Sequence, residues 1–147
     1  MANENVKKQE LQKGDKVATI MQNRPEWNFL DMGITMAGCI HVPVYPTLNA
    51  NDYRYILNHA DVKVIVMGVA QIFHRVEPAV PDLTAHPEIF TIDEIEGQRN
   101  FSELLQIGRD NREKWNPVID KIKAETSPED IATLIYTSGT TGNPKGV

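Results

Sequence analysis

Hydrophobic and polar positions along the chain alternate between two patterns. Short, nearly continuous apolar runs are each followed by a stretch whose apolar residues lie three and four positions apart. The first pattern is typical of strands and the second of helices packed on one face. The continuous run Val64–Met67 favours a strand buried on both sides of a parallel sheet. The predicted strands are Lys16–Met21, Cys39–Val44, Val64–Met67, Ile89–Ile92 and Ile131–Ile135.

The stretches between these strands predict helices. Pro25 lies where a helix begins, because proline costs nothing in the first turn, and Trp27, Leu30, Ile34 and Ala37 then form one apolar face. The other predicted helices are a helical lead-in over 1–14, one capped by Asn51 and Asp52, Val69–Val76, and Phe101–Lys123 with an interruption near Pro117. Strands that alternate with helices predict an α/β fold, a parallel sheet with helices on both faces.

The last twelve residues, Tyr136–Val147, concentrate the unusual chemistry of the chain. Three glycines, three threonines, a serine and Lys145 follow the last predicted strand. Glycines let backbone N–H groups approach an anion, hydroxyls add donors, and lysine adds a charge. The segment therefore predicts a phosphate-binding loop. It is not a Walker A motif, because Pro144 stands where that motif needs its second glycine. A glycine- and threonine-rich turn without a ligand is the alternative.

Composition narrows the class of protein. The 147 residues are 41% hydrophobic and 24% charged, with a formal charge of −5. This charge argues against a nucleic-acid partner. The single cysteine excludes an internal disulfide and suits a reducing compartment, and the polar N-terminus lacks a signal peptide. We therefore expect a cytoplasmic protein of about one domain.

Other polar groups have ordinary interpretations. Cys39 and His41 are a close pair of metal-ligand types, but two ligands do not make a zinc site. A buried thiol and a hydrogen-bonded histidine are expected instead. The acidic stretch after the fourth strand predicts a solvated loop containing Asp93, Glu94 and Glu96. A basic helix face is expected to be solvated, with peripheral contact to an anionic membrane as the alternative; its residues are Arg109, Arg112, Lys121 and Lys123.

The segment Thr137–Gly146, Thr-Ser-Gly-Thr-Thr-Gly-Asn-Pro-Lys-Gly, resembles the signature of the AMP-forming adenylate enzymes. This family includes acyl-CoA synthetases, luciferases and the adenylation domains of peptide synthetases. Two further segments, 13–27 and 36–47, resemble the first core motifs of the family. The resemblance as a whole extends from about Lys7 onward. Tyr45-Pro46-Thr47 and the helical insert 101–125 are most similar to long-chain fatty acyl-CoA ligases.

The resemblance implies a reaction and a set of binding residues. A fatty acid carboxylate attacks ATP to give an acyl-adenylate and pyrophosphate, and coenzyme A then displaces AMP. Mg²⁺ would assist the first step, with Thr137 on the metal side. The residues implied for phosphate binding are Thr137, Ser138, Gly139, Thr140, Thr141, Gly142 and Lys145.

The resemblance also implies that residues 1–147 form the N-terminal portion of the AMP-binding domain of such an enzyme. The later family motifs for metal, ribose and adenylation do not occur in these residues. We therefore expect no complete catalytic set and no turnover by this polypeptide alone. We also expect either a disordered Gly139–Val147 segment or self-association through exposed sheet edges. Two alternatives stay open: an adenylation domain for amino or aryl acids, and a stand-alone α/β phosphate-binding module.

Overall fold

The computed structural model describes residues 10–137 and 143–147. A parallel sheet of five strands forms the centre of the fold, in the spatial order β2-β1-β3-β4-β5. Its strands are β1 (Lys16–Ile20), β2 (Ile40–Val44), β3 (Val62–Met67), β4 (Glu88–Thr91) and β5 (Arg99–Asn100). The helices are α1 (Pro25–Met36), α2 (Ala50–His59), α3 (Ala70–Val76), α4 (Phe101–Asp110) and α5 (Arg112–Ala124), with a 3₁₀ helix at Glu77–Asp82. Two short strands, β6 (Tyr136–Thr137) and β7 (Lys145–Gly146), form a separate antiparallel pair.

The sheet is covered on both faces, as the sequence predicted. Alternate residues of β1 serve the two sides, because successive side chains of a strand point in opposite directions. Ala18 and Ile20 pack with α2, α3 and the 3₁₀ helix in one apolar cluster. Val17 packs with Leu30 and Ile34 of α1 and with side chains from α4 in the other. The α/β fold class is therefore confirmed.

Helix α1 begins at Pro25, as predicted, and the chain leaves it through Gly38. Gly38 has a positive φ of 72°, a conformation that glycine adopts without steric cost. A Cβ atom at this position would lie 2.8 Å from Cγ2 of Ile122 on α5. Gly38 therefore both ends the first helical unit and allows α5 to pack closely beside it.

Several predicted boundaries were wrong. Residues 10–14 of the lead-in are not helical, and residues 1–9 lie outside the described part. Asn49, rather than Asn51 and Asp52, caps α2, because its side chain accepts the backbone N–H of Asp52. The 101–123 stretch breaks at Asn111, whereas Pro117 lies within α5 on its exposed side.

The predicted strand Ile131–Ile135 is not a regular strand. It forms a single parallel bridge to β2, in which His41 N–H donates to Ala132 and Leu134 N–H donates to the His41 carbonyl. The next hydrogen bond of such a ladder would need an N–H from Pro43, which has none. Proline is tolerated there because β2 is the edge of the five-stranded sheet.

The helices of the described part are too short or too polar to cross a lipid bilayer.

Candidate functional site

The predicted phosphate-binding segment is held at its base by a β-hairpin. Ile135 and Val147 exchange two backbone hydrogen bonds of 2.9 Å each, and Thr137 lies opposite Lys145 in the ladder. The structure therefore brings together the two predicted binding residues at the ends of the loop. Five of the predicted residues lie outside the described part: Ser138, Gly139, Thr140, Thr141 and Gly142.

The two sides of the hairpin differ in exposure. Thr137 and Lys145 are exposed, whereas Tyr136 is buried. A Cβ atom on Gly146, opposite Tyr136, would lie 3.2 Å from Cζ of that ring and 3.0 Å from Cδ1 of Leu134. Gly146 thus leaves room for these two side chains, which join the apolar cluster shared with α2.

Lys145 is available to an anion. Its side chain is exposed, and among residues 10–137 and 143–147 no carboxylate forms an ion pair with it. A lysine ammonium beside a threonine hydroxyl offers a charge and a neutral donor to the same ligand. The base of the hairpin is therefore suited chemically to a phosphate group.

A groove of about 560 Å³ lies where β1 and β2 end, and no pattern in the sequence predicted it. Its walls include the apolar side chains of Trp27, Tyr45 and Ile135 and the polar side chains of Gln22 and Asn28. Ile135 pairs with Val147 at the base of the hairpin, so the groove adjoins that base. The predicted parallel sheet could have indicated this location, because ligands of such sheets bind at the carboxyl ends of the strands.

Arg24 lines this groove, but its charge is already engaged. The guanidinium donates to both carboxylate oxygens of Glu26, at 3.0 and 3.2 Å, to Asp93 at 3.1 Å, and to the Gly68 carbonyl at 3.2 Å. The hydrogen bond from Arg24 holds the pKa of Glu26 below its ordinary value. Arg24 therefore links the segments that follow β1, β3 and β4, and Asp93 is a partner in this link rather than only a solvated residue.

His41 is fully buried, and both ring nitrogens have partners. Nε2 lies 2.7 Å from Oγ1 of Thr19, and Nδ1 lies 2.7 Å from Oδ1 of Asp31. Within the described residues, no cluster of three metal-ligating side chains occurs. The predicted hydrogen-bonded histidine is confirmed, and its role is to join α1 to β1 and β2.

The thiol of Cys39 is buried, as predicted, and burial raises its pKa to about 11. The thiolate is the reactive form, and its population falls tenfold for each unit by which the pKa rises. We expect Cys39 of the folded chain to react with a disulfide reagent at pH 8 at least about 100-fold more slowly than in urea. The reagent releases its own thiolate as it reacts, and the absorbance of that product measures the rate for the folded chain and the rate in urea. Equal rates under the two conditions would contradict the buried position of Cys39.

A parallel sheet covered on both faces, followed by a short antiparallel hairpin, defines an α/β protein. The family model "AMP-binding enzyme" matches residues 6–147. The chain therefore belongs to the AMP-binding enzyme family.

Individual curated relatives indicate which members of the family this chain is similar to. The chain is 32% identical over 142 residues to fatty acyl-CoA synthetase A of Dictyostelium discoideum, covering 93% of this chain and 21% of that protein. It is 30% identical to the peroxisomal long chain acyl-CoA synthetase 6 of Arabidopsis thaliana, covering 91% and 20%. The chain thus spans about a fifth of the length of these relatives.

Solved structures support the same fold. An anthranilate CoA ligase in complex with anthranoyl-AMP superposes with a TM-score of 0.72 at 27% identity, covering 93% of this chain and 25% of that one. A fatty acyl CoA synthetase of Mycobacterium tuberculosis superposes with a TM-score of 0.65 at 25% identity, covering 93% and 24%.

Proposed function

We propose that this chain is the N-terminal part of the AMP-binding domain of an ATP-dependent fatty acid–CoA ligase. In this reaction a carboxylate oxygen attacks the α-phosphorus of ATP, and pyrophosphate leaves as the acyl-adenylate forms. The thiol of coenzyme A then attacks the acyl carbon, and AMP leaves as the thioester forms. The observation that carries the proposal is the hairpin that presents Lys145 and Thr137 side by side at the base of the loop. The similarity to fatty acyl-CoA synthetases supports the choice of substrate.

The proposed role of the loop is to hold the phosphates of ATP. The leaving pyrophosphate gains negative charge during the first step, and fixed donors directed at that charge lower the barrier. Lys145 would supply a positive charge that no described carboxylate neutralises. The hydroxyls and backbone N–H groups of Thr137, Ser138, Gly139, Thr140, Thr141 and Gly142 would supply the neutral donors.

We further propose that Thr137 contributes one ligand to Mg²⁺. Magnesium that binds with ATP takes most of its ligands from phosphates and water and needs few protein oxygens. The exposed hydroxyl of Thr137 has the right chemistry, because hydroxyl oxygen is a hard ligand. When bound, the metal would neutralise charge on the departing phosphates.

The test is ATP–pyrophosphate exchange by the product of the complete reading frame that encodes this chain, here called the full product. Labelled pyrophosphate should enter ATP only when a fatty acid and Mg²⁺ are present, because exchange reports reversal of the adenylation step. Coenzyme A should then convert the acid to its thioester. Residues 1–147 expressed alone should support neither reaction.

Three outcomes would contradict the proposal. Exchange that depends on amino or aryl acids instead of fatty acids would favour the other adenylating enzymes. Binding of ATP without exchange for any acid would favour a phosphate-binding module. Exchange by residues 1–147 alone would show that these residues contain a complete catalytic set.

The location and assembly of the protein are also proposals. A cytoplasmic location is supported by the single buried thiol. Helix α5 carries four basic and two acidic side chains, which favours weak peripheral contact with an anionic membrane. Self-association through sheet edges stays a prediction. Sedimentation with phosphatidylserine vesicles measures the membrane contact. Light scattering of the protein without vesicles measures self-association.

A further inference from the structure

The hairpin for which we propose a phosphate role has one buried side chain among its described residues. Of its described residues, 135–137 and 143–147, only Tyr136 is buried. An isolated two-stranded hairpin is marginally stable in water. Its orientation therefore depends on how Tyr136 is held, together with the bridge between Thr133 and His41 just before it.

The hydroxyl of Tyr136 has a specific partner at the end of α2. Its oxygen lies 2.7 Å from Nδ1 of His59, a residue 77 positions earlier in the chain. The two rings meet edge to face, with 5.7 Å between their centroids. Tyr55, one turn earlier on α2, stacks on the His59 ring, with 5.4 Å between the ring centroids. The imidazole thus contacts two aromatic rings as well as the Tyr136 hydroxyl, and these contacts restrict the direction of its hydrogen bond.

Tyr136 directly precedes Thr137, and Thr137 pairs with Lys145 across the hairpin. A rotation or outward shift of Tyr136 would therefore move both predicted phosphate-binding residues together. Packing of the Tyr136 ring resists an outward shift of the hairpin. The hydrogen bond between its hydroxyl and His59 additionally fixes how deeply the ring lies in the core. This contact connects helix α2 with the base of the loop.

On the basis of the proposed function, we infer that His59 and Tyr136 are positioning residues for phosphate binding. Neither is expected to touch the nucleotide. Their hydrogen bond holds the hairpin in the orientation in which Thr137 and Lys145 address the same phosphate group. Loss of this bond should weaken ATP binding more than it weakens the fold, because the Tyr136 ring remains packed.

The experiment measures ATP binding and exchange kinetics in variants of the full product. Tyr136→Phe should raise both the Kd and the KM for ATP about fivefold, the scale expected from one lost hydrogen bond, with the KM for the fatty acid unchanged. His59→Ala should have the same effect. The double variant should be no worse than either single variant, because both remove one interaction. His59→Asn places an amide near the position of Nδ1 and should restore part of the affinity.

Tyr53→Phe is the matched control. It removes another phenol hydroxyl of the same fold, whose hydrogen bond goes to the Tyr45 carbonyl at 3.0 Å rather than to a residue of the hairpin. It should lower the melting temperature and leave the Kd for ATP unchanged. The inference is overturned if Tyr136→Phe behaves like Tyr53→Phe, or if the effects of Tyr136→Phe and His59→Ala add.

The ligase proposal can fail separately. If the unmodified full product binds ATP but catalyses no exchange, the proposed reaction is wrong, and the Kd ratios alone decide the positioning role. If it does not bind ATP at all, both the reaction and the positioning role are overturned.

Discussion

Replacement of Lys145 by alanine is expected to lower kcat/KM for ATP about 100-fold in the full product. This is the scale observed when one donor that stabilises transition-state charge is removed. Lys145 is exposed on the hairpin, and in the described part of the chain it has no carboxylate partner. Its charge is therefore available to an anionic ligand. Binding of the fatty acid in the absence of ATP, followed by calorimetry, should be unchanged.

Two further variants separate this role from a general effect of charge. Lys145→Arg keeps the charge with a different geometry and should recover part of the lost rate. Lys121→Ala removes an exposed lysine of α5, whose nearest carboxylate oxygen, on Glu125, lies 3.8 Å away, and it should leave the rate unchanged. Equal losses in ATP use and fatty acid binding would argue against a phosphate role for Lys145.

Replacement of His41 by alanine should have the largest effect on stability, about 3 kcal/mol in the free energy of unfolding. The substitution leaves a cavity in the core and removes the partner of the buried Thr19 hydroxyl and of Asp31. A buried polar group without a partner costs the full penalty of its lost hydration. Urea unfolding of the chain, followed by circular dichroism, measures the change.

The control for this prediction is His74→Ala. The side chain of His74 is 66% exposed and lies 3.5 Å from Glu77, so the change should stay within about 0.5 kcal/mol. The double variant His41→Ala with Asp31→Ala should lose less than the two single losses combined, because both changes remove the same contact. A His41→Ala protein as stable as His74→Ala would show that the buried contacts contribute nothing.

Local patterns in the sequence were sufficient for the central fold. The continuous apolar run that predicted β3 identified it to within two residues at its start, because a strand buried on both faces must be apolar throughout. Pro25 marked the beginning of α1, since proline is suited to the first turn of a helix. The loop segment was also recognisable, because its glycines, hydroxyls and lysine lie next to one another in the chain.

The same patterns failed where a residue's state depends on a distant partner. The run Ile131–Ile135 is apolar enough for a strand, yet Ile131 is 65% exposed and only one bridge forms. A strand needs a neighbour with free backbone groups, and the next donor position on β2 is Pro43, which has no N–H. Apolar character indicates that a segment tends towards burial, but the partner decides whether the ladder forms.

The sequence by itself determined the α/β class, the two covered faces and the identity of the loop residues, because each depends on neighbours within a few positions. Only the tertiary structure decided which side chains meet at the base of the hairpin and in the adjacent groove. The bond of Tyr136 to His59 joins residues 77 positions apart, and that of Arg24 to Asp93 joins residues 69 apart. Neither pair has a local signal, because the folded sheet alone brings them within hydrogen-bonding distance. The sequence thus specified the residues for which we propose a phosphate role, and the fold decided how Thr137 and Lys145 are placed relative to each other.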